Sequence, residues 1–525
     1  MSEVRKGLFN DWVPKPVGLL VILVLTITAL TSNGLYTANI NDMVSGLGSM
    51  TEYMMMANYA SAIGMMVVFP FLIKIKSFLK GRTILLITLS GMLLLSVVCA
   101  LTTSPVVLIV SNLVMGSLKM FTLMEVIIPI MMMISPDGNR GRFYAVFYPI
   151  SIVLGQLGAY FSAELSYTFG WEYAYYFMMP GLLVSLLLVV ICYHNDRTMP
   201  YAPLKGLDLL SFFLVTTSLM LLNYVLVFAR VEDYFSSVYI QGATIGFVIT
   251  LLLFVRRQFT VEQPYLDLRM LKIRNVWASL VMVFLTGLFL AAGSIQSALT
   301  SGILKYSAQT NAILNLWMIP GVVVGGLLLF FWNKYEHNHK GLILIGFGAF
   351  ILGYLMLYTK VNPGAGMHDF YMASALRGFG MVVLFAGLGV YNAVGLQMME
   401  MLSSAAVLVV VRSFLGPAFF SALISYGMYQ GQVENLQQLA QHMDVTNTAV
   451  MARAATSGGS LGLYGAVMPQ AVLVTAQEML GYVVMAGLWI MLAVLLFRFG
   501  KMNRRRLVNW RKKWRSIVGV PAVTG

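Results

Sequence analysis

Residues 105–134 read PVVLIVSNLVMGSLKMFTLMEVIIPIMMMI, one long apolar stretch with two charged side chains, Lys119 and Glu125, inside it. A charge in hydrocarbon costs roughly 2.5–3.5 kcal/mol on insertion scales, so ionisable residues within a membrane span are candidates for function by default. Asn112, Gly116 and Lys119 fall at i, i+4 and i+7 and share one helical stripe. Glu125 lies six residues beyond Lys119, about 9 Å along the axis and roughly 120° around it, so the two do not pair on their own helix.

Outward from this stretch the pattern repeats. The chain is 59% hydrophobic and 10% charged, with a mean hydropathy of +0.81, too apolar for a soluble protein of this length. Fourteen stretches of about 20 apolar residues, each able to cross a ~30 Å hydrocarbon core as helix, are expected: 17–38, 52–73, 83–101, 105–134, 143–165, 173–193, 208–229, 238–255, 276–300, 310–332, 341–359, 368–392, 403–429 and 477–498. The fold class is therefore an all-α polytopic membrane protein. Its organisation reads as an N-terminal six-helix bundle (1–200), a two-helix insert (201–262), an interfacial linker (263–275) and a C-terminal six-helix bundle (276–499). That last bundle carries an external loop, 430–476, and a basic tail, 500–525, follows it.

Charge placement agrees with an even number of spans. With the N-terminus inside, most Lys and Arg fall on cytoplasmic loops, as short loops require. Only Arg230, Lys305, Lys360 and Arg453 fall outside, while Lys119, Arg377 and Arg412 remain within spans. Both termini are expected in the cytoplasm. The net charge of +14 then follows from topology, and the tail KMNRRRLVNWRKKWRS suits anionic lipid, with no nucleic-acid partner. Cys99 and Cys192 have no motif spacing and read as packing residues. Glu336, His337 and His339 lack a closed ligand set, so neither a metal nor a cofactor is expected. No nucleophile elbow or phosphate loop marks an enzyme.

Several short motifs fall in a consistent order. They are Pro264-Tyr265-Leu266-Asp267-Leu268 with Arg274-Asn275 before the ninth span, WEYAYYFMMP at 171–180, Arg412 with Gly416, and Gln470-Ala471 with Ala476-Gln477-Glu478. Together they resemble the fourteen-helix drug:proton antiporters of the major facilitator superfamily, of the EmrB/QacA type. That resemblance implies the major facilitator fold in the plasma (inner) membrane, two bundles that rock about a central site, and efflux of amphipathic small molecules against protons. It also implies a periplasmic adaptor and an outer-membrane channel as partners, met by the loop 430–476; a simple cover over the pathway is the other use of that loop.

The departures from the family pattern concern titratable positions. Thr31-Ser32-Asn33 stands where the family has a first-helix aspartate, Asn112 where it has a fourth-helix arginine, and IKIKSFLKGR where a Gly/Asp/Arg loop latches one state. The fifth-helix signature keeps Gly158 and has Ala159 in place of its proline; Gly155, Gly158, Ser162 and Ala163 still allow close helix approach. Proton coupling therefore rests on Glu125, with Lys119, Arg377 or Arg412 as the neighbouring charge, or Glu125 is one half of a static bridge. Arg377 and Arg412, with Asn112 and Asn33, are the substrate-pathway candidates, although Arg412 is also placed to snorkel toward the cytoplasm. Glu164 reads as a residue of the periplasmic end. Two other functions remain open: a symporter or uniporter for a defined, anionic solute, and a transporter-like sensor or scaffold.

Overall fold

The computed structural model describes residues 7–32, 35–135, 140–197, 199–203, 206–335, 338–441, 443, 446–497 and 499. Asn33, Lys205, Glu336, His337 and the basic tail 500–525 lie outside the described residues. Among the described residues thirteen helices are long and apolar enough to cross a membrane. The first expected span, 17–38, is instead divided between α1 (Lys15–Thr31) and α2 (Leu35–Leu47). Thr31 turns its hydroxyl back onto the carbonyls of Ile27 and Thr28, and Ser32 does the same to Ala29. Such hydroxyls compete with the backbone for helical partners and favour an ending there.

The first bundle continues through α3 (Thr51–Val67), α4 (Leu72–Phe78), α5 (Gly81–Leu101), α6 (Pro105–Ile134), α7 (Arg140–Phe169), α8 (Tyr173–Tyr176) and α9 (Met178–Cys192). The inserted pair is α10 (Leu209–Phe228) and α11 (Val238–Thr260). The second bundle comprises α12 (Arg274–Ala291), α13 (Gly293–Ser297), α14 (Ala308–Leu316), α15 (Met318–Tyr335), α16 (His339–Thr359), α17 (Tyr371–Asn392), α18 (Met398–Val410), α19 (Gly416–Gln441), α20 (Thr448–Ser457) and α21 (Ser460–Leu496). Each bundle has its own apolar core, one around Leu25, Met54, Leu85 and Tyr175, the other around Phe289, Phe347, Phe350 and Leu480.

The same packing device appears in both bundles. A Cβ on Gly64 of α3 would overlap the carbonyl of Leu113 on α6, and one on Gly116 of α6 would overlap that of Ser61 on α3. In the second bundle Gly321 of α15 meets Ala375 of α17, and Gly378 of α17 meets Met318 of α15. In all four helices the glycine and the residue its partner touches are three positions apart, so backbones cross at one point. Apolar side chains gain little by leaving lipid for another helix, and close backbone approach through small residues supplies the attraction.

α10 leans on α3 and α19, touching both bundles, and Asn223 donates to the Met56 carbonyl at 3.0 Å. At the other end of the insert Asp208 caps α10 by accepting from the Ser211 amide and pairs with Arg257 of α11 at 2.9 Å. Burial alone would raise its carboxyl pKa, but the Ser211 hydrogen bonds and the Arg257 charge outweigh it and hold the group below the usual carboxylate range.

In the linker Tyr265, Leu266 and Met270 are buried, Arg269, Leu271 and Lys272 are exposed, and Leu268–Lys272 forms a short 3-10 helix capped by Asp267. Tyr265 donates to the Val67 carbonyl of α3 while the Asp267 amide donates to Ser403 of α18, so the segment stitches the bundles together at what we term the linker end. One expectation needs correction: 430–476 is not a simple loop. α19 runs to Gln441, α20 spans Thr448–Ser457 and α21 begins at Ser460; Gly458 and Gly459, whose φ values of 88° and 83° suit glycine, separate the last two. At 37 residues α21 is about 55 Å long and projects beyond the hydrocarbon at the far end.

Candidate functional site

Asn112 and Lys119 of the α6 stripe are buried, and so is Glu125 on another side of the same helix. Asn112 spends its amide on the Leu108 carbonyl one turn back, at 2.8 Å. Glu125 accepts from Lys76 Nζ of α4 at 3.1 Å, with both side chains less than a tenth exposed. None of the expected partners, Lys119, Arg377 or Arg412, holds that position. The space is closed by Gly81, where a Cβ would stand 3.1 Å from the Glu125 carboxylate. Tyr193 completes the group: its hydroxyl is buried without a hydrogen-bond partner among the described residues. Burial first and the Glu125 charge second push its pKa up.

Sequence reasoning placed Lys76 on a solvated basic loop. The signal against that was helical spacing, since Lys76 follows Leu72 by one turn in LIKIKSF and α4 points it inward. Lys74 of the same run turns outward to the Gly206 carbonyl.

Between the bundles sits Arg412. It lies in a π-helical turn, Val411–Leu415, joining α18 to α19, about four turns from the start of α18. Its guanidinium stands 5.3 Å from the ring of Tyr148 on α7 and 5.1 Å from that of Phe385 on α17. It therefore bridges the bundles by cation–π contacts and does not snorkel. A π-turn widens the backbone locally and frequently marks a functional position. Removing the guanidinium in Arg412→Ala is expected to lose two such contacts, each about 0.5–2 kcal/mol, and to lower the thermal unfolding midpoint more than Arg412→Lys does. Unchanged midpoints in both variants would show that the rings carry nothing. Arg377 belongs to another region, donating to Gln296 of α13 at 2.5 Å within the second bundle.

α7 faces α14 and α15 along most of its length. At the far end Gln309 of α14 donates to the Glu164 carboxylate at 2.6 Å. At the linker end Asn333 of α15 donates to the Gly141 carbonyl at 3.0 Å. Between them a Cβ on Gly326 would stand 2.7 Å from Pro149, the proline inside α7. Glu164 thus sits at the end away from the linker and bridges the bundles. Sequence reasoning noted Asn333, with Lys334, only as standing where the family would have an acid–base pair, and it passed over Gln309 and Asp42, the last of which accepts from Ser166 of α7 at 3.0 Å.

The remaining motif residues have structural duties. Gly158 lets α7 press on the backbone of Thr31, where α1 ends, and Gly416 lets α19 press on Gly287 of α12. Gly155 is half-buried on α7. Asn275 donates to the carbonyls of Tyr391, Asn392 and Val394 and so closes the end of α17. Arg274 lies over the ring of Phe497 at 4.9 Å.

No protein-family model matches the chain. Over 256 residues it is 22% identical to the colistin resistance protein EmrB of Acinetobacter baumannii, covering 47% of this chain and 48% of that one. Over 236 residues it is 23% identical to the lincomycin resistance protein LmrB of Listeria innocua, covering 44% and 48%. The chain thus spans about half the length of the curated relatives it matches. Its fold is similar to that of a bacterial homologue of the human drug peptide transporters PepT1 and PepT2, with TM-score 0.55, 13% identity and coverage of 91% and 96%. It is also similar to the nucleoside transporter NupG, with TM-score 0.50, 14% identity and coverage of 91% and 99%. Two six-helix bundles, each built on the same reciprocal glycine crossing, and a fit over 91% of the chain give this integral membrane protein the major facilitator fold.

Proposed function

We propose that this protein is a secondary transporter that exports amphipathic or hydrophobic small molecules against an inward flow of protons, by alternating access. The observation that carries the reading is the seam of α7 with α14 and α15: one polar link at each end, and a small-residue contact between them. Rocking about the Gly326–Pro149 contact lengthens one link as it relaxes the other, which is the motion alternating access needs. The loop charges favour the linker end as cytoplasmic, in a plasma (inner) membrane. Efflux as the direction is supported by the partial similarity to two resistance proteins.

Glu125 is the proposed proton site and Lys76 its switching partner. Lys76 follows the break in the second span at Phe69–Phe71, and that break touches α18 of the other bundle. Movement of α18 would draw α4 and its ammonium toward or away from the carboxylate, favouring the ionised or the protonated acid in turn. In the paired state the proton has left the carboxyl for cytoplasmic water. The exposed start of α21, with Leu461 and Tyr464, is the surface we propose for a periplasmic adaptor.

Adding a lipophilic cation such as tetraphenylphosphonium to the detergent-purified protein is expected to release protons, and Glu125→Gln is expected to bind the ligand without release. Binding without release in the wild type would remove the antiport claim. It would favour the second reading, a carrier for an anionic solute, which the position of Arg412 between the bundles supports.

A further inference from the structure

Lys76 follows the break in the second span, and residues outside both bundles hold that break. At Phe69–Phe71 the backbone tightens into a 3-10 turn, where the Phe71 amide donates to the Val68 carbonyl at 2.9 Å in place of Val67, its α-helical partner. The Tyr265 hydroxyl, from the linker, donates to the Val67 carbonyl. The Tyr265 ring also meets Phe71 edge-on at 5.2 Å, and Phe71 lies 5.6 Å from Phe212 of α10. Phe254 of α11 completes the group, 6.3 Å from Tyr265.

Buried polar groups of the insert fix Tyr265 in turn. The Leu266 amide donates to Gln258 Oε1 of α11 at 2.9 Å, and Gln258 Nε2 donates to the Ser211 hydroxyl of α10 at 2.9 Å. Ser211 donates to Asp208, the partner of Arg257. Gln258, Ser211 and Asp208 are all buried. The outer side of α4 is tied to the same unit, since Lys74 donates to the Gly206 carbonyl at 2.7 Å, in the connection that leads into α10. The Ser77 carbonyl accepts from the Ala202 amide at 3.3 Å and from Arg197 at 3.2 Å. A helix of seven residues has little stability of its own, so these ties at its start and on its outer side set where its inner residue, Lys76, points.

We propose that the inserted pair α10–α11 and the linker that follows it form a positioning module that seats Lys76 on Glu125, with Tyr265 as the positioning residue. The use of this module in transport rests on the reading of Glu125 as the proton site. Among the elements packed against α6, α5 brings Arg82, which donates to the Val190 carbonyl at 2.8 Å, and α7 brings Arg140 and Arg142 in its first turn and Glu164 at the far end. α1 and α3 bring only Lys15 and Glu52, in their first turns. Tyr193 contributes a hydroxyl, and Lys119 lies on another side of α6. The ammonium that the module seats is Lys76.

The test is acylation of lysines with acetyl N-hydroxysuccinimide in the detergent-solubilised full chain, read by mass spectrometry, with exposed Lys15 as the internal reference. Lys76, its side chain 7% exposed, is expected to react far more slowly than Lys15 in the wild type. Tyr265→Phe keeps the ring and loses only the hydrogen bond to Val67, and should raise the Lys76 rate roughly three- to tenfold. Gln258→Leu should act in the same direction one step back along the network, and it decides if Tyr265→Phe fails to fold by gel filtration. Gly378→Ala, which loosens the second bundle, should leave Lys76 protected. In Tyr265→Phe the pH profile of proton release driven by tetraphenylphosphonium should move up by about half a unit, since a carboxyl whose ammonium is drawn away keeps its proton to higher pH. The proposal is overturned by a wild-type Lys76 as reactive as Lys15, by unchanged protection in both Tyr265→Phe and Gln258→Leu, by equal exposure in Gly378→Ala, or by a release profile that does not move. Exposure of Lys76 in Tyr265→Phe, together with no proton release from the wild type, upholds the seating of Lys76 and removes only the antiport reading.

Discussion

Lys76→Met is expected to destabilise the protein by about 3–5 kcal/mol, the usual penalty for stripping one partner from a buried ion pair. The size follows from enclosure: Glu125 and Lys76 are both nearly inaccessible, Gly81 closes the remaining side, and little room is left for water to solvate a stranded carboxylate. Glu125→Leu alone should cost a similar amount by stranding the ammonium. The combination Lys76→Met with Glu125→Leu should recover most of the loss, since apolar replacements of a buried pair are often close to neutral. Thermal unfolding midpoints in one detergent compare the four proteins. A double variant as unstable as the worse single one would mean that packing, not charge, sets the cost. The same double variant is expected to lose ligand-driven proton release while remaining folded, which separates a coupling acid from a static bridge.

Gly116→Ala and Gly378→Ala form the second large prediction. At each site the new methyl would overlap a backbone carbonyl of the crossing helix, Ser61 in one bundle and Met318 in the other. A backbone atom cannot rotate aside as a side chain can, so the helices must part. Overpacking of this kind costs about 1–3 kcal/mol and sometimes more, and here it also forfeits the close approach that replaces the hydrophobic effect within lipid. Folded yield and unfolding midpoint should fall together for Gly64, Gly116, Gly321 and Gly378. Gly242→Ala on α11 is the matched control: nothing lies within 4 Å of its added methyl, and alanine is the better helix former. Equal behaviour of Gly242→Ala and Gly116→Ala would remove the crossing as a source of stability.

How much of this was visible beforehand depended on whether a property is local. The α6 helix begins and ends at the residues its apolar run sets, Pro105 and Ile134, because length and hydropathy decide a span where water is absent. The break after Thr31 was less visible, as a run of apolar residues hides a hydroxyl pair that ends the helix. α21 was underestimated because TSGGSLGLYG reads as flexible, whereas only Gly458 and Gly459 leave the helical region. For the site, burial of Lys119 and Glu125 could be read from α6 alone. The identity of Glu125's partner could not, since Lys76 is 49 residues away in the chain and is set by how α4 folds back. Arg412 shows the same limit: its two rings come from α7 and α17, and no spacing within VVVRSFLGP announces them.

The attachment of α10 has a mechanical side. Asn223 fastens this helix to α3 through the Met56 carbonyl, whereas its meeting with α19 includes the apolar surface around Ala418 and Phe414. If the bundles rock as proposed, α10 would travel with α3 and slide across α19, and would keep acyl chains out of the crevice on that flank. Resistance to that motion would then be set on this flank, as along the seam of α7 with α15, by protein sliding on protein and not by the fluidity of the bilayer.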